Sequence, residues 1–232
     1  METEPRASIV SQSKYLLYIA ILFVAVLMIA NTTAGKLIEL GPFIVSAAIL
    51  VFPISYIFGD VLTEVYGYKA SRKVVWGAFG ALILMSFTYW IVGIIPGASF
   101  WQNQAAYDTI LGSVPRITAA SIIAFLVGEF ANSYVLSRMK VWSEGKHLWM
   151  RTIGSTVVGE GFDSIVFYVI AFAGVLPLAT LVTLTLSAYF LKVVYEVAVT
   201  PLTYKIVGWL KRKEGVDVYD RGISYNPFTI AD

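Results

Sequence analysis

The sequence predicts an all-α polytopic membrane protein with six transmembrane helices and both termini in the cytoplasm. Three observations predict it. First, 58% of the 232 residues are apolar and 14% are charged, with a mean hydropathy of +0.74. A soluble domain is about a quarter charged, and a chain of 25.5 kDa leaves too much area facing water to hide so much apolar surface. Second, six stretches have the roughly 20 residues that a helix needs to cross an apolar layer of about 30 Å. Third, the basic residues change sides in step with those stretches.

The spans follow in order. Span one runs from Tyr15 to Ala34, too long an apolar run for a cleaved secretory signal. Its Ala20, Ala25, Ala30 and Ala34 form a small-residue packing face. Span two is read from Phe43 to Tyr66, with Pro53 in mid-helix, where it would remove a backbone donor and kink the chain. Spans three and four are Val74–Ile95 and Val114–Ser137. The intervening loop, residues 96–113, carries Phe100, Trp101 and Tyr107, a set that fits an interfacial aromatic belt or a lid. Span five is Thr152–Gly174. Span six starts at Leu178, reaches Trp209 with Pro201 late in its course, and continues as a cytosolic helix ending in Lys211, Arg212 and Lys213. The expected organisation is a cytoplasmic N-terminus over 1–14, a six-helix transport domain over 15–209 and a cytoplasmic tail over 210–232.

Fourteen of the 17 Lys and Arg residues fall in the N-terminus, the span two–three link, the span four–five link and the tail, all on one side if there are six spans. The positive-inside rule puts that side in the cytoplasm. A prokaryotic plasma membrane is the expected location. The net charge of +2 and the scattered basic residues argue against a nucleic-acid partner. With no cysteine and only His147 among the histidines, thiolate and His-rich metal sites are excluded, and no cofactor is expected.

Eight charges lie inside spans, where an ionisable group is expensive and marks function by default. They are Asp60, Glu64, Glu129, Glu160, Asp163, Glu196, Lys192 and Arg116. Glu129 and Glu160 each stand nine residues from the basic border, Arg138 and Arg151 respectively, or about 13 Å at helical rise. Lys192 stands 13 residues from Lys205, or about 20 Å. Glu129 with Asn132, Glu160 with Asp163, and Lys192 with Glu196 share helix faces by their spacing. Three helices thus present polar pairs at similar depth. An internal salt-bridge cluster would explain some of this, yet four acids against one lysine suit a cationic or donor-rich ligand better. The pattern V-G-E-x-x-(N/D)-S-x-V occurs at residues 127–135 and again at 158–166. It reads either as an inverted repeat around a cavity or as a small-residue packing face.

Catalytic classes fit poorly. A serine nucleophile needs a base, and His147 lies in a cytosolic loop away from Ser155. An aspartate dyad would have to pair Asp60 with Asp163. No Walker motif appears, and a channel would want rings of like charge rather than a mixed cluster. Transport is the class that remains.

At these motifs the chain resembles the queuosine precursor transporter family, the vitamin uptake transporter group. The resemblance rests on Phe52-Pro53 through Asp60-Val61-Leu62-Thr63-Glu64-Val65-Tyr66-Gly67 and Arg72. It continues in Trp101-Gln102-Asn103-Gln104-Ala105-Ala106-Tyr107, Pro115-Arg116, Ala120-Ser121, Ser155-Thr156, Asp163-Ser164, Ala171-Phe172, Lys192-Val193 and Thr200-Pro201-Leu202. It implies a bundle like the substrate-binding subunits of energy-coupling-factor vitamin importers, working without the ATPase module. It also implies uptake of 7-cyano-7-deazaguanine or 7-aminomethyl-7-deazaguanine for tRNA modification. A deazaguanine offers N1–H and an exocyclic amine side by side, which a carboxylate accepts together. The expected substrate site is therefore Glu129, Asn132, Glu160, Asp163, Lys192 and Arg116. Tyr189 and Trp101, with Phe167 and Tyr168 behind them, are the aromatic faces. Asp60, Glu196 and Asn31 are expected to couple or gate. The expected partners are the small molecule and the lipid bilayer, with a homodimer left open. The alternatives are a binding subunit of an ATP-driven importer and an intramembrane enzyme.

Overall fold

A computed structural model describes residues 13–142 and 148–216, together with 218, 226 and 228. The chain is mostly helical, with one small hairpin. In order come α1 (Leu16–Thr33), β1 (Leu37–Leu40), β2 (Phe43–Ser46), a 3-10 turn (Ala47–Leu50), α2 (Phe52–Tyr66), α3 (Tyr68–Ile94), α4 (Gln104–Leu111), α5 (Val114–Trp142), α6 (Leu148–Phe172) and α7 (Leu178–Glu214). Among the described residues, five segments are long and apolar enough to cross a membrane: α1, α3, Gln104–Gly128 running from α4 into α5, the Ile153–Phe172 part of α6, and α7. Their outward faces are apolar. Leu17, Ile21 and Leu22 on α1, Leu84 and Phe87 on α3, and Leu186, Phe190 and Val194 on α7 are all exposed. A water-soluble surface would not carry so continuous an apolar coat; hydrocarbon is its natural solvent.

The second stretch departs from the expected continuous helix over Phe43–Tyr66. Its first four residues pair antiparallel with β1, Leu37 opposite Ser46 and Leu40 opposite Phe43. The connection is the two-residue loop Gly41–Pro42, and Gly41 has φ of 59°. A positive φ followed by the fixed negative φ of proline suits a two-residue hairpin turn. The helix therefore begins only at Phe52 and has 15 residues, or about 22 Å at 1.5 Å each. Pro53 is accordingly not a mid-span kink. It sits in the first turn of α2, where its missing N–H has no intrahelical partner to lose. Pro201 does lie inside α7, as expected.

Other boundaries also move: α3 begins at Tyr68 rather than Val74, α5 continues past Ser137 to Trp142, and the expected loop over 96–113 carries the helix α4. The long last helix ends with Lys211, Arg212 and Lys213 in its final turn and Gly215 at φ 68° as its stop. Both described chain ends meet there. Glu214 accepts from the amide nitrogens of Lys14 at 2.9 Å and Tyr15 at 2.8 Å, and from the Tyr66 hydroxyl at 2.7 Å. Burial would raise this carboxyl, but those donors and the Lys14 charge outweigh it and hold Glu214 below its ordinary value. The clasp joins the starts of α1 and the ends of α2 and α7, so it fixes which end of the bundle is which. One apolar core lies toward this end, built on Phe23, Leu62, Val65, Phe79 and Leu82. A second lies toward the other end, built on Val45, Ile117, Tyr168, Leu184 and Ala188, where the hairpin packs on α7.

Candidate functional site

Between the two cores, two helices bring their charges together and a third adds a hydroxyl. Lys192 of α7 is buried, at 6% exposure. Its Nζ donates to Asp163 Oδ2 at 2.5 Å and lies 3.4 Å from Glu160 Oε2, both on α6. The Tyr56 hydroxyl on α2 donates to the same Glu160 oxygen at 2.9 Å. The ammonium also stands over the Phe52 ring, 5.1 Å from its centroid, a cation–π arrangement. The group holds two carboxylates against one ammonium. Placing ions out of water costs several kcal/mol each unless partners repay it, so the surplus negative charge suits a cationic or donor-bearing ligand.

Helical spacing explains the convergence. Thr156, Gly159, Glu160 and Asp163 follow one another at the i, i+3, i+4, i+7 positions of α6. Tyr56, Gly59, Asp60 and Thr63 do the same on α2. The contact between α5 and α6 is the most extensive of any helix pair, and the repeated motif makes it. A Cβ on Gly128 would come 3.0 Å from Asp163 Cβ and 3.1 Å from Gly159 O. A Cβ on Gly159 would come 2.8 Å from Asn132 Cβ and 3.0 Å from Gly128 O. Each copy's glycine thus receives the other copy's residue at the (N/D) position. The echo is a reciprocal close crossing of antiparallel helices, and it sets Asp163 against Gly128 and Asn132 against Gly159.

Two cavities flank the cluster. The larger, about 1730 Å³ and partly open to solvent, lies toward the end that carries the chain termini. Asp60, Glu64, Arg72, Asn132, Glu160 and Glu196 are among its lining residues. The smaller, about 470 Å³ and likewise partly open to solvent, lies on the other side and is walled by Asn31, Ser46, Phe167, Tyr168 and Lys192 with small neighbours Ala30, Ala34 and Ala48. Phe52, Ser121 and Asp163 line both and so form the partition.

Of the expected site residues, Glu160, Asp163 and Lys192 come together in one cluster, with Asn132 and Glu196 on the wall of the larger cavity. The Glu129 side chain lies outside the described residues. Arg116 stands elsewhere. It is exposed at the start of α5, where its Nε and Nη2 donate to the carbonyls of Ile170 and Ala173 at 2.6 and 2.5 Å. Those are orphan acceptors at the end of α6, and a cation there also suits the helix dipole. Trp101 lies in the loop before α4, 6.4 Å from the Tyr107 ring, and folds over Gly97; it lines neither cavity. Tyr189 donates to Val157 O at 3.1 Å and packs against Gly161, a helix-to-helix contact rather than a cavity wall. Asp60 and Glu196 line the larger cavity, whereas Asn31 lines the smaller one beside Asp163. Sequence reasoning missed Tyr56. Its signal was present: it stands one turn before Asp60 on the same face of α2. Among the described residues, no group of three or more His, Asp or Glu side chains is arranged to hold a metal ion.

The family described as "Putative vitamin uptake transporter" matches residues 46–206, which include the whole of this cluster. The chain belongs to the queuosine precursor transporter family. It is 30% identical over 176 residues, 75% of this chain and 77% of the relative, to the "Probable queuosine precursor transporter" of Bacillus subtilis. It is 23% identical over 121 residues, 52% of each chain, to the "Queuosine precursor transporter" of Escherichia coli. No solved structure matches. The family is one of transporters rather than enzymes, and the described spans make this member a multi-pass membrane protein.

Proposed function

We propose that the protein takes up queuosine precursors, 7-cyano-7-deazaguanine or 7-aminomethyl-7-deazaguanine, across a prokaryotic plasma membrane. The observation that carries the reading is the buried Lys192–Asp163–Glu160 cluster on the partition between two cavities. The names of the two relatives support the substrate class. Asp163 and Glu160 accept N1–H and the exocyclic amine of the base. Lys192 donates to the 6-oxo group or balances charge. Phe52, Phe167 and Tyr168 offer ring faces. The chain makes six passes in this reading, the second completed by the hairpin, the 3-10 turn and α2. The basic end faces the cytoplasm, so the larger cavity opens inward, with Asp60 and Glu196 on the exit path. Substrate recognition on a partition between two compartments is the arrangement that alternating access needs. No ATPase module is part of this reading.

Uptake of both labelled deazaguanines into cells unable to make queuosine tests it, with and without a proton gradient. Cells carrying the wild-type chain are expected to accumulate label, and cells carrying Asp163→Asn at least tenfold less at equal expression. Uptake that is the same with and without the wild-type chain would sink the proposal.

A further inference from the structure

Asn31 carries an acceptor that the fold leaves unused. The residue is 3% exposed near the end of α1. Its Nδ2 donates to Leu27 O, one turn back, at 2.9 Å. A backbone carbonyl can only accept, so the amide nitrogen faces Leu27 and Oδ1 is the free end of the amide. Oδ1 is buried and has no hydrogen-bond partner among the described residues. The neighbours on the helix show that a back-bond to the preceding turn does not require an amide. Thr32 and Thr33 make it with hydroxyls, to Met28 O at 2.9 Å and Ile29 O at 2.8 Å. Asn31 differs from them in leaving an idle, buried oxygen on a residue that lines the smaller cavity together with Asp163 and Lys192.

A buried acceptor without a partner is costly, and a ligand's N–H would satisfy it. The three walls come from different helices: Asn31 from α1, Asp163 from α6 and Lys192 from α7. Resting on the transport reading above, with the amine and oxo edge of the base at Asp163 and Lys192, the far edge of the ring points away from them. A deazaguanine has carbon at position 7, so the ring N–H on that far edge is N9–H. Ala30, Ala34 and Ala48 close the wall around Asn31 and let a flat ring approach its amide. We infer that Asn31 Oδ1 accepts N9–H of the base, and that Asn31 thereby admits the free base and turns away its nucleoside. A sugar at N9 removes the donor and strands the acceptor, and sites built around an N–H reject analogues that lack it strongly.

The test is binding of 7-cyano-7-deazaguanine and of its N9-methyl derivative to the purified full-length protein in lipid nanodiscs, by calorimetry. The wild type is expected to hold the free base at least tenfold tighter than the methyl derivative. Asn31→Leu keeps the bulk and removes the acceptor. It is expected to weaken the free base about tenfold and leave the methyl derivative unchanged. Equal weakening of both ligands would show a merely structural role and overturn the inference. So would an unchanged free-base affinity. Where Asn31→Leu does not melt like the wild type, Asn31→Ala replaces it. The ligand pair on the wild type decides independently: N9-methylation without cost overturns the inference and leaves the transport reading intact. A wild type that binds neither compound removes both.

Discussion

Lys192 shows how one side chain can organise a polar centre in an apolar bundle. Its ammonium has two carboxylates within 3.4 Å, and neither is itself on the surface, with side-chain exposures of 12% for Glu160 and 15% for Asp163. Removing one member of a buried pair costs about 3–5 kcal/mol, because the other charge stays behind. Lys192→Met is therefore expected to lower the melting temperature of the purified protein sharply. Adding Asp163→Asn to it should restore part of that loss, since the second change removes one of the two stranded charges. Thermal melts of the two single variants and the double variant check this as a cycle. Additive losses would mean that the contact carries no coupling. The depth arithmetic of the sequence brought Glu160, Asp163 and Lys192 to one level because helical rise converts residue counts into distance. It did not separate Arg116 from them. That residue's partners are carbonyls of Ile170 and Ala173, some 54 and 57 positions away, and backbone acceptors leave no mark in a sequence. Phe52 and Tyr56 were hidden for a related reason: in a chain with 15% aromatic residues, ring identity does not distinguish a cavity wall from lipid contact.

At the scale of elements, the two copies of V-G-E-x-x-(N/D) explain why α5 and α6 lie so close. Neither glycine is needed for an unusual backbone angle; each is needed because a neighbouring helix occupies the space of its missing side chain. Gly159→Ala is thus expected to force the pair apart, since its Cβ would stand 2.8 Å from Asn132 Cβ and 3.0 Å from a backbone oxygen. The movement would carry Asp163 with it, so both melting temperature and substrate binding should fall. Gly77→Ala is the control. Nothing lies within 4 Å of its Cβ, and alanine in an open helical position stabilises by roughly 0.5–1 kcal/mol. Wild-type melting and binding in Gly159→Ala would refute the crossing. Of the elements themselves, α3, α5, α6 and α7 were legible from apolar length and the basic borders. The hairpin was not. Its two strands have only four residues each, and the apolar run Phe43–Val45 continues without a polar break into the turn and α2. Hydropathy therefore read one long span, although Gly41–Pro42 between Leu37–Leu40 and Phe43–Ser46 is a hairpin signal of its own.

For the whole molecule, orientation and the two unequal cavities combine into one statement about access. In the proposed orientation the clasped end of the bundle faces the cytoplasm, and the larger cavity extends toward that end. In that orientation the larger cavity lies on the inner side of Asp163 and the smaller one on the outer side. The absence of cysteine from all 232 residues makes single-cysteine reporters free of background. Gly59→Cys suits the purpose, because Gly59 lines the larger cavity and a Cβ there meets nothing within 4 Å. A membrane-impermeant maleimide should label Gly59→Cys at least tenfold faster in inverted membrane vesicles than in whole cells. 7-Cyano-7-deazaguanine should change the ratio between the two preparations, because a ligand that binds the two access states unequally shifts their populations. Faster labelling from outside the cell would reverse the orientation that the basic residues assign. A ratio unmoved by ligand would mean that binding at Lys192 and Asp163 is not linked to opening, and the two cavities would then be separate features rather than the two sides of one path.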